Sequence, residues 1–246
     1  MLYLIGLGLN PRGISKEGML ALEKCKKIFL ESYTIDFPYL LEDLKLGKNE
    51  RAKIIPLARK DVESNMLIKE AMSIPVALLV YGCPLFATTH TSLILDAQAQ
   101  GVKTRVIYSA SVFDAVAETG LQLYKFGKIT SMPAWNFGKN YKPASFLDIV
   151  KENQSIRAHS LILVDIGLKF SDALKQLEEA SKEKNIILEN LIVCSRLGTD
   201  EALIYYDAIE NLKKIKGPKL PYCIIIPHEL HFLEKDFLKN VSKKIE

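Results

Sequence analysis

The sequence predicts a two-lobed α/β protein with mostly parallel sheets and a cleft between the lobes, and three observations carry that expectation. Short apolar strand-like runs alternate with stretches whose apolar residues recur at helical spacing. The strands are apolar on both faces, as they are where helices cover both sides of a sheet. The 246 residues exceed one domain of about 150, yet no Pro-, Gly- or Ser-rich linker separates the halves. The expected lobes are therefore residues 1–108 and 109–246, in close contact.

In the first lobe the expected strands are Met1–Gly6, Lys26–Glu31, Lys53–Pro56, Val76–Val80 and Thr104–Tyr108. Helical spacing marks Ser15–Lys24, Tyr39–Leu44, Asp61–Met72 and Thr91–Gln100. Ser15 and Asp61 stand where helix starts prefer small polar or acidic residues. The second lobe opens with a helix over Ser111–Gly120, where Ser111 and Asp114 have capping-box spacing. Strand Lys128–Met132, helix Pro143–Asn153 and strand Leu161–Ile166 follow, then helix Ser171–Lys184 and strand Leu191–Ser195. Helix Glu201–Ile215 and strand Tyr222–Ile226 complete the expected order.

Composition narrows the function classes. Hydrophobic residues make up 48% and charged ones 25%, which is globular rather than disordered. A net charge of +4 is too small to argue for a nucleic-acid partner, and the lysine-rich Lys235–Lys244 reads as a solvated helix face. Cys25, Cys83, Cys194 and Cys223 have no CxxC spacing, so no disulfide framework is expected and a reducing cytoplasm suits them. The uncharged stretch Ala71–Leu95 contains Pro75, Gly82, Pro84 and His90, which rules out a continuous apolar membrane helix. The apolar N-terminus has no preceding basic region and no small-residue cleavage site, so it does not read as a signal peptide.

Two glycine turns are the chemical candidates. Gly6-Leu7-Gly8 follows the first strand, but the dinucleotide fingerprint fails at its third glycine, because position 11 is Pro11 and Gly13 is two residues late. Glu31, at the end of the second strand, stands where a ribose-binding acid would lie. Tyr81-Gly82-Cys83-Pro84-Leu85-Phe86-Ala87-Thr88-Thr89-His90-Thr91 follows another strand at its carboxyl end, where open α/β sheets bind ligands. That segment reads equally as a ligand loop and as a strand-to-helix turn with a cap. His228 and His231 in His-Glu-Leu-His lack a third metal ligand and read as surface or capping residues, so no metal site is expected. Trp135, Asn136, Phe137 and Tyr141 form an aromatic-polar loop suited either to gripping a substrate or to packing.

Taken in order, LYLIGLGL, ESYT, ARKDVE, GCPLFATTH, TGLQLYKFGK, LILVDI and PYCIIIP resemble the diphthine synthases, class III S-adenosylmethionine methyltransferases of the tetrapyrrole-methylase type. Leu230, His231 and Glu234 continue the match, which runs through nearly the whole chain. ATTH together with TGLxxYKFGK is specific to diphthine synthases; GLG and GxPL are shared with tetrapyrrole methylases generally. The resemblance implies a cytoplasmic homodimer with S-adenosylmethionine folded into the cleft. It also implies translation elongation factor 2 as substrate, methylated on the amino group of a 3-amino-3-carboxypropyl-histidine. Cofactor contacts would then fall on Leu9, Cys83, Phe86, Ser111, Val112, Val164, Leu197 and Tyr222. Glu31, Tyr33 and Asp165 are the nearest carboxylates and phenol that could take the amine's proton.

Two positions depart from the family pattern. Cys83 replaces the aspartate of GDPL, and a lost charge-assisted hydrogen bond of about 1.5–3 kcal/mol would weaken cofactor binding roughly 10- to 150-fold. Leu197 stands where the family has alanine, and its bulk would narrow an adenine pocket. Two alternatives stay open at this level: a tetrapyrrole C-methyltransferase, and a degenerate, non-catalytic relative acting as a binding module, which Cys83 keeps in play.

Overall fold

The computed structural model describes residues 1–47, 53–136, 139 and 141–244. They form two compact units, Met1–Phe113 and Asp114–Glu246.

The first unit follows the order β1 (Leu2–Gly6), α1 (Lys16–Leu22), β2 (Lys27–Glu31), β3 (Ile54–Leu57), α2 (Arg59–Val62), α3 (Met66–Ser73), β4 (Val76–Val80), α4 (His90–Ala99) and β5 (Thr104–Ile107). The strands make one sheet in the order β3-β2-β4-β1-β5, and every ladder in it is parallel. Side-chain alternation explains why these strands read as apolar throughout. Leu2, Leu4, Phe29, Leu78 and Val80 pack on one face with Leu67, Ile68 and Ala71 of α3 and Leu93 and Ala97 of α4. Tyr3, Ile5, Ile28, Leu30 and Leu79 pack on the other with Ala21 and Leu22 of α1 and with Leu44 and Leu46. Ser15 caps α1 as its sequence position suggests, its Oγ accepting from Gly18 N–H at 3.0 Å.

Two of the expected first-unit helices are corrected. Asp61–Met72 is not continuous: α2 ends at Val62 and α3 begins at Met66. The Ser64 hydroxyl bonds back to the Asp61 carbonyl at 2.7 Å and turns the chain between them. Asp61 sits at the third helical position, reaching back to Ala58 N–H at 3.2 Å. Tyr39–Leu44 keeps only a 3₁₀ turn at Leu41–Asp43.

The second unit contains β6 (Thr130–Met132), α6 (Phe146–Ser155), β7 (Ser160–Val164), α7 (Phe170–Lys184), β8 (Asn190–Ser195), β9 (Leu203–Ala208), α8 (Ile209–Leu212), β10 (Tyr222–Ile226) and α9 (Phe232–Val241), while α5 (Val112–Ala115) runs across the boundary. Its sheet has the order β6-β7-β10-β8-β9. Parallel pairing, expected of both sheets, is confined here to β6–β7; the other three ladders are antiparallel. The cause is a third correction: Glu201–Ile215 is not a helix. Ile209, Leu212 and Ile215 imitate helical spacing, but Leu203–Tyr206 is an apolar, aromatic run that pairs with β8 after a tight turn, and only one helical turn follows it. Ser111–Gly120 is likewise shorter than expected, with α5 continuing as a 3₁₀ turn to Thr119, which Gly120 ends at φ +78°. The main core joins Leu147 and Val150 of α6 and Leu174 and Leu177 of α7 to Ile162, Val193 and Ile224 of the sheet.

Candidate active site

In the first unit β4, β1 and β5 lie side by side and parallel, so the turns leaving their carboxyl ends meet at one edge. The Gly8 and Gly82 turns bridge one another, Gly82 N–H donating to the Gly8 carbonyl at 3.0 Å and Gly8 N–H to the Gly82 carbonyl at 3.3 Å. On the Gly6–Gly13 side of this crossing side chains have no room. A Cβ on Gly6 would stand 2.6 Å from the Gly82 carbonyl oxygen, and one on Gly13 2.5 Å from that of Leu7. Gly8 and Gly82 also hold φ of +67° and +69°. Ser109 seals the third turn by donating from Oγ to the Gly13 carbonyl at 2.7 Å. Gly13, late for the dinucleotide pattern, therefore still supplies close packing.

These turns bring together the five first-unit residues that the family resemblance assigned to a cofactor. Leu9 is buried, and its carbonyl accepts from the Tyr81 hydroxyl at 3.1 Å. Cys83 and Ser111 are buried, Val112 is half-buried, and the Cα of Ser111 lies 3.7 Å from where a Cβ on Gly82 would be. Phe86 is half exposed and packs edge-on against Phe113 at 5.2 Å. Such side-chain-poor backbone turns suit close approach by a ligand with polar ends.

The remaining three assigned residues share one end of the second sheet. Val164 ends β7, Tyr222 starts β10 opposite Ser195, and Leu197 lies in the turn after β8. That turn is fixed by Arg196 at φ +52°, by Gly198 at φ +75°, and by Gly198 N–H donating to Glu118 Oε1 at 3.0 Å. The Tyr222 hydroxyl is spent on the Leu168 carbonyl at 2.9 Å, and its ring packs edge-on to Phe170. Burial pushes its phenol far above the usual range.

Of the proton-acceptor candidates, Asp165 is held by backbone donors and Glu31 faces a histidine. Asp165 Oδ2 accepts from Ala134 N–H at 2.9 Å and Oδ1 from Ile166 N–H at 3.0 Å, so its carboxylate shapes the turn after β7. Glu31 is buried, with Oε2 3.0 Å from His90 Nε2. Tyr33 lies beside Glu31 under the Arg59 guanidinium. Burial, and then the charge of Glu31, push its phenol up.

Sequence reading missed a second polar cluster, in the second unit. The TGLQLYKFGK segment is buckled to α9 through Glu234, which is buried. Glu234 accepts from Lys125 Nζ at 2.6 Å, Gln122 N–H at 3.0 Å and His231 N–H at 2.8 Å. Burial opposes its ionisation, but Lys125 and the two backbone donors outweigh that and hold its carboxyl at about 2. His159, also buried, accepts from His228 N–H at Nδ1 at 2.9 Å, which leaves its proton on Nε2 facing Glu234 Oε1 at 3.6 Å. His231 caps α9, its ring accepting from Leu233 N–H. Trp135 is buried, donating to the Pro143 carbonyl and to Gln176 Oε1, so its role is packing. Phe137 lies outside the described residues.

The model of the Tetrapyrrole (Corrin/Porphyrin) Methylases matches residues 1–213. The chain belongs to that family, and within it to the diphthine synthases. Diphthine synthase of Methanothermobacter thermautotrophicus is 36% identical over 98% of this chain and 96% of the relative. The diphthine methyl ester synthase of Schizosaccharomyces pombe is 32% identical over 100% of this chain and 96% of the relative. A crystal structure of a diphthine synthase superposes with a TM-score of 0.87 at 31% identity, covering 98% of this chain and 95% of the other. The chain is thus an S-adenosylmethionine-dependent methyltransferase by family.

Proposed function

We propose that this methyltransferase modifies translation elongation factor 2, adding methyl groups to the amino nitrogen of a 3-amino-3-carboxypropyl-histidine. Full-length identity to diphthine synthases supports the reaction class. The single observation that carries the site is the bridged Gly8–Gly82 crossing at the carboxyl edge of a parallel sheet, which delivers Leu9 and Cys83 to one place. Leu9, Cys83, Phe86, Ser111 and Val112 would hold the cofactor there. Val164, Leu197 and Tyr222 carry the same assignment by resemblance.

When bound, S-adenosylmethionine supplies an electrophilic methyl group on a sulfonium. The chain's own task is to orient donor and amine in line and to exclude water, and orientation of this kind can supply roughly 7–11 kcal/mol of the barrier. Buried Leu9 and half-exposed Phe86 provide apolar surface, while the turns' backbone groups offer donors and acceptors. The Tyr222 hydroxyl, occupied by Leu168, leaves that residue its ring and its main chain for contact.

A second reading is favoured by one observation. Cys83 is buried, and its thiol is a weak donor where the resemblance expects a carboxylate acceptor, so on this reading the chain would bind its partner protein without turnover. Calorimetric titration with S-adenosylmethionine and with S-adenosylhomocysteine separates the two. Micromolar binding of both, followed by a mass increase of modified elongation factor 2 in whole-methyl steps, is the expected result. No heat with either ligand would leave the binding-module reading standing. The mass spectrum also counts the methyl groups.

A further inference from the structure

Glu31 and His90 are separated widely in sequence, yet both side chains are 1% exposed and Glu31 Oε2 lies 3.0 Å from His90 Nε2. His90 Nδ1 lies 2.8 Å from the Pro84 carbonyl. A carbonyl only accepts, so Nδ1 must carry a proton, and the other ring nitrogen is committed to Glu31. The Pro84 carbonyl also accepts from Thr88 Oγ1 at 2.9 Å, which fills its second lone pair. Around this doubly held carbonyl the chain makes a tight turn. Phe86 N–H donates to the Cys83 carbonyl at 3.3 Å, and Ala87 adopts φ +52°, a strained value for a residue with a Cβ.

Stability alone does not account for the pair. Buried charges lose their hydration, and replacing such a pair with well-packed apolar residues is often neutral or stabilising. Its geometry, however, fixes one thing: the Pro84 carbonyl at the centre of the turn whose flanks are Cys83 and Phe86. We propose that Glu31 and His90 are positioning residues for methyl transfer, Glu31 acting through His90 to hold the Cys83–Phe86 turn in its cofactor-binding shape. This rests on the methyltransferase reading above. It assigns Glu31 a role other than that of ribose ligand or proton acceptor for the amine.

The test compares cofactor affinity with turnover in the full-length protein. Glu31→Gln can donate its amide N–H to a neutral His90 Nε2 and leave Nδ1–H on Pro84, whereas Glu31→Leu and His90→Phe remove the connection. The Gln variant is expected to bind S-adenosylmethionine and S-adenosylhomocysteine within about threefold of wild type, and the other two at least about tenfold more weakly. The maximal rate at saturating cofactor should stay within about threefold in all of them, with KM for the cofactor carrying the loss. Should Glu31→Leu fail to fold, Thr88→Val, which removes the second bond to Pro84, is expected to shift cofactor KM in the same direction. Unchanged affinity in Glu31→Leu, or a fallen maximal rate with unchanged affinity, would overturn the assignment; the second result would make Glu31 the proton acceptor. A wild-type protein that binds neither ligand would overturn the methyltransferase reading itself, a result the variants cannot mimic.

Discussion

Cys83, in the turn proposed to hold the cofactor, is 3% exposed, and the resemblance to diphthine synthases would put an aspartate there. Cys83→Asp is expected to tighten S-adenosylmethionine binding by roughly tenfold or more, through a charge-assisted hydrogen bond that the thiol does not make. The same change should lower the stability of the free protein, because a buried carboxylate without its ligand is poorly solvated. Calorimetry and thermal unfolding on one sample check both halves. Gly6 shows the steric limit of the same site. Gly6→Ala places a Cβ 2.6 Å from the Gly82 carbonyl, and main chain cannot rotate away as a side chain could, so a loss of about 2–3 kcal/mol in urea unfolding is expected. Glu234 is a residue whose charge state is part of the fold. Its carboxyl lies at about 2 in the folded chain against 4.5 otherwise. The stability it contributes, about 3 kcal/mol, is complete above pH 4.5 and lost as pH falls through about 2. Glu234→Gln should therefore unfold more easily at neutral pH and show a shallower acid limb.

The TGLQLYKFGK segment turns out, as an element, to be a buckle. Lys125 grips Glu234 and the Glu229 carbonyl, His159 N–H donates to the Lys125 carbonyl, and Asn153 holds both the N–H and the carbonyl of Lys128. Gly127 passes so close to Asn153 that a Cβ there would meet Oδ1 at 2.2 Å. Lys125→Met should cost about 3 kcal/mol, since it leaves a buried carboxylate without its cation. Adding Glu234→Met should recover much of that loss, and the double-mutant cycle measures the coupling. Tyr124, by contrast, is 82% exposed and takes no part in the core. The β8–β9 hairpin shows where reading by elements fails. Periodicity names the buried face of a segment, but the partner that buries it decides between strand and helix.

Across the whole chain, stability should depend on pH through two histidines of opposite behaviour. Burial lowers the His90 imidazole, but the hydrogen bonds to Glu31 and Pro84 outweigh it and raise the group above its usual 6.5. Its contribution is complete below pH 6.5 and lost as pH rises through the folded value. His159 is held below 6.5, chiefly by burial, so the unfolded chain takes up a proton that the folded one refuses as pH drops below 6.5. The thermal midpoint should therefore pass through a maximum near neutrality. His90→Phe is expected to flatten the alkaline side and His159→Phe the mildly acidic side, as scanning calorimetry across that range would show. Ligand linkage acts on the whole fold as well: S-adenosylmethionine at a hundredfold excess over its Kd should add about 2.7 kcal/mol of stability.

Much of the first unit was legible in the residues themselves. Short runs apolar on both faces marked β1, β2, β4 and β5, the glycines at 6, 8 and 82 marked turns, and Ser15 marked a helix start. Each of these is a local constraint, written within a few residues of where it acts. The antiparallel second sheet, the bond from His90 to Glu31 and the grip of Lys125 on Glu234 were not legible in that way. They join residues far apart in the chain, and burial alone makes their polar groups seek those partners. Local pattern determined which surfaces had to be covered and where the backbone had to bend; the tertiary structure decided which surfaces met, and so which charges could be buried at all.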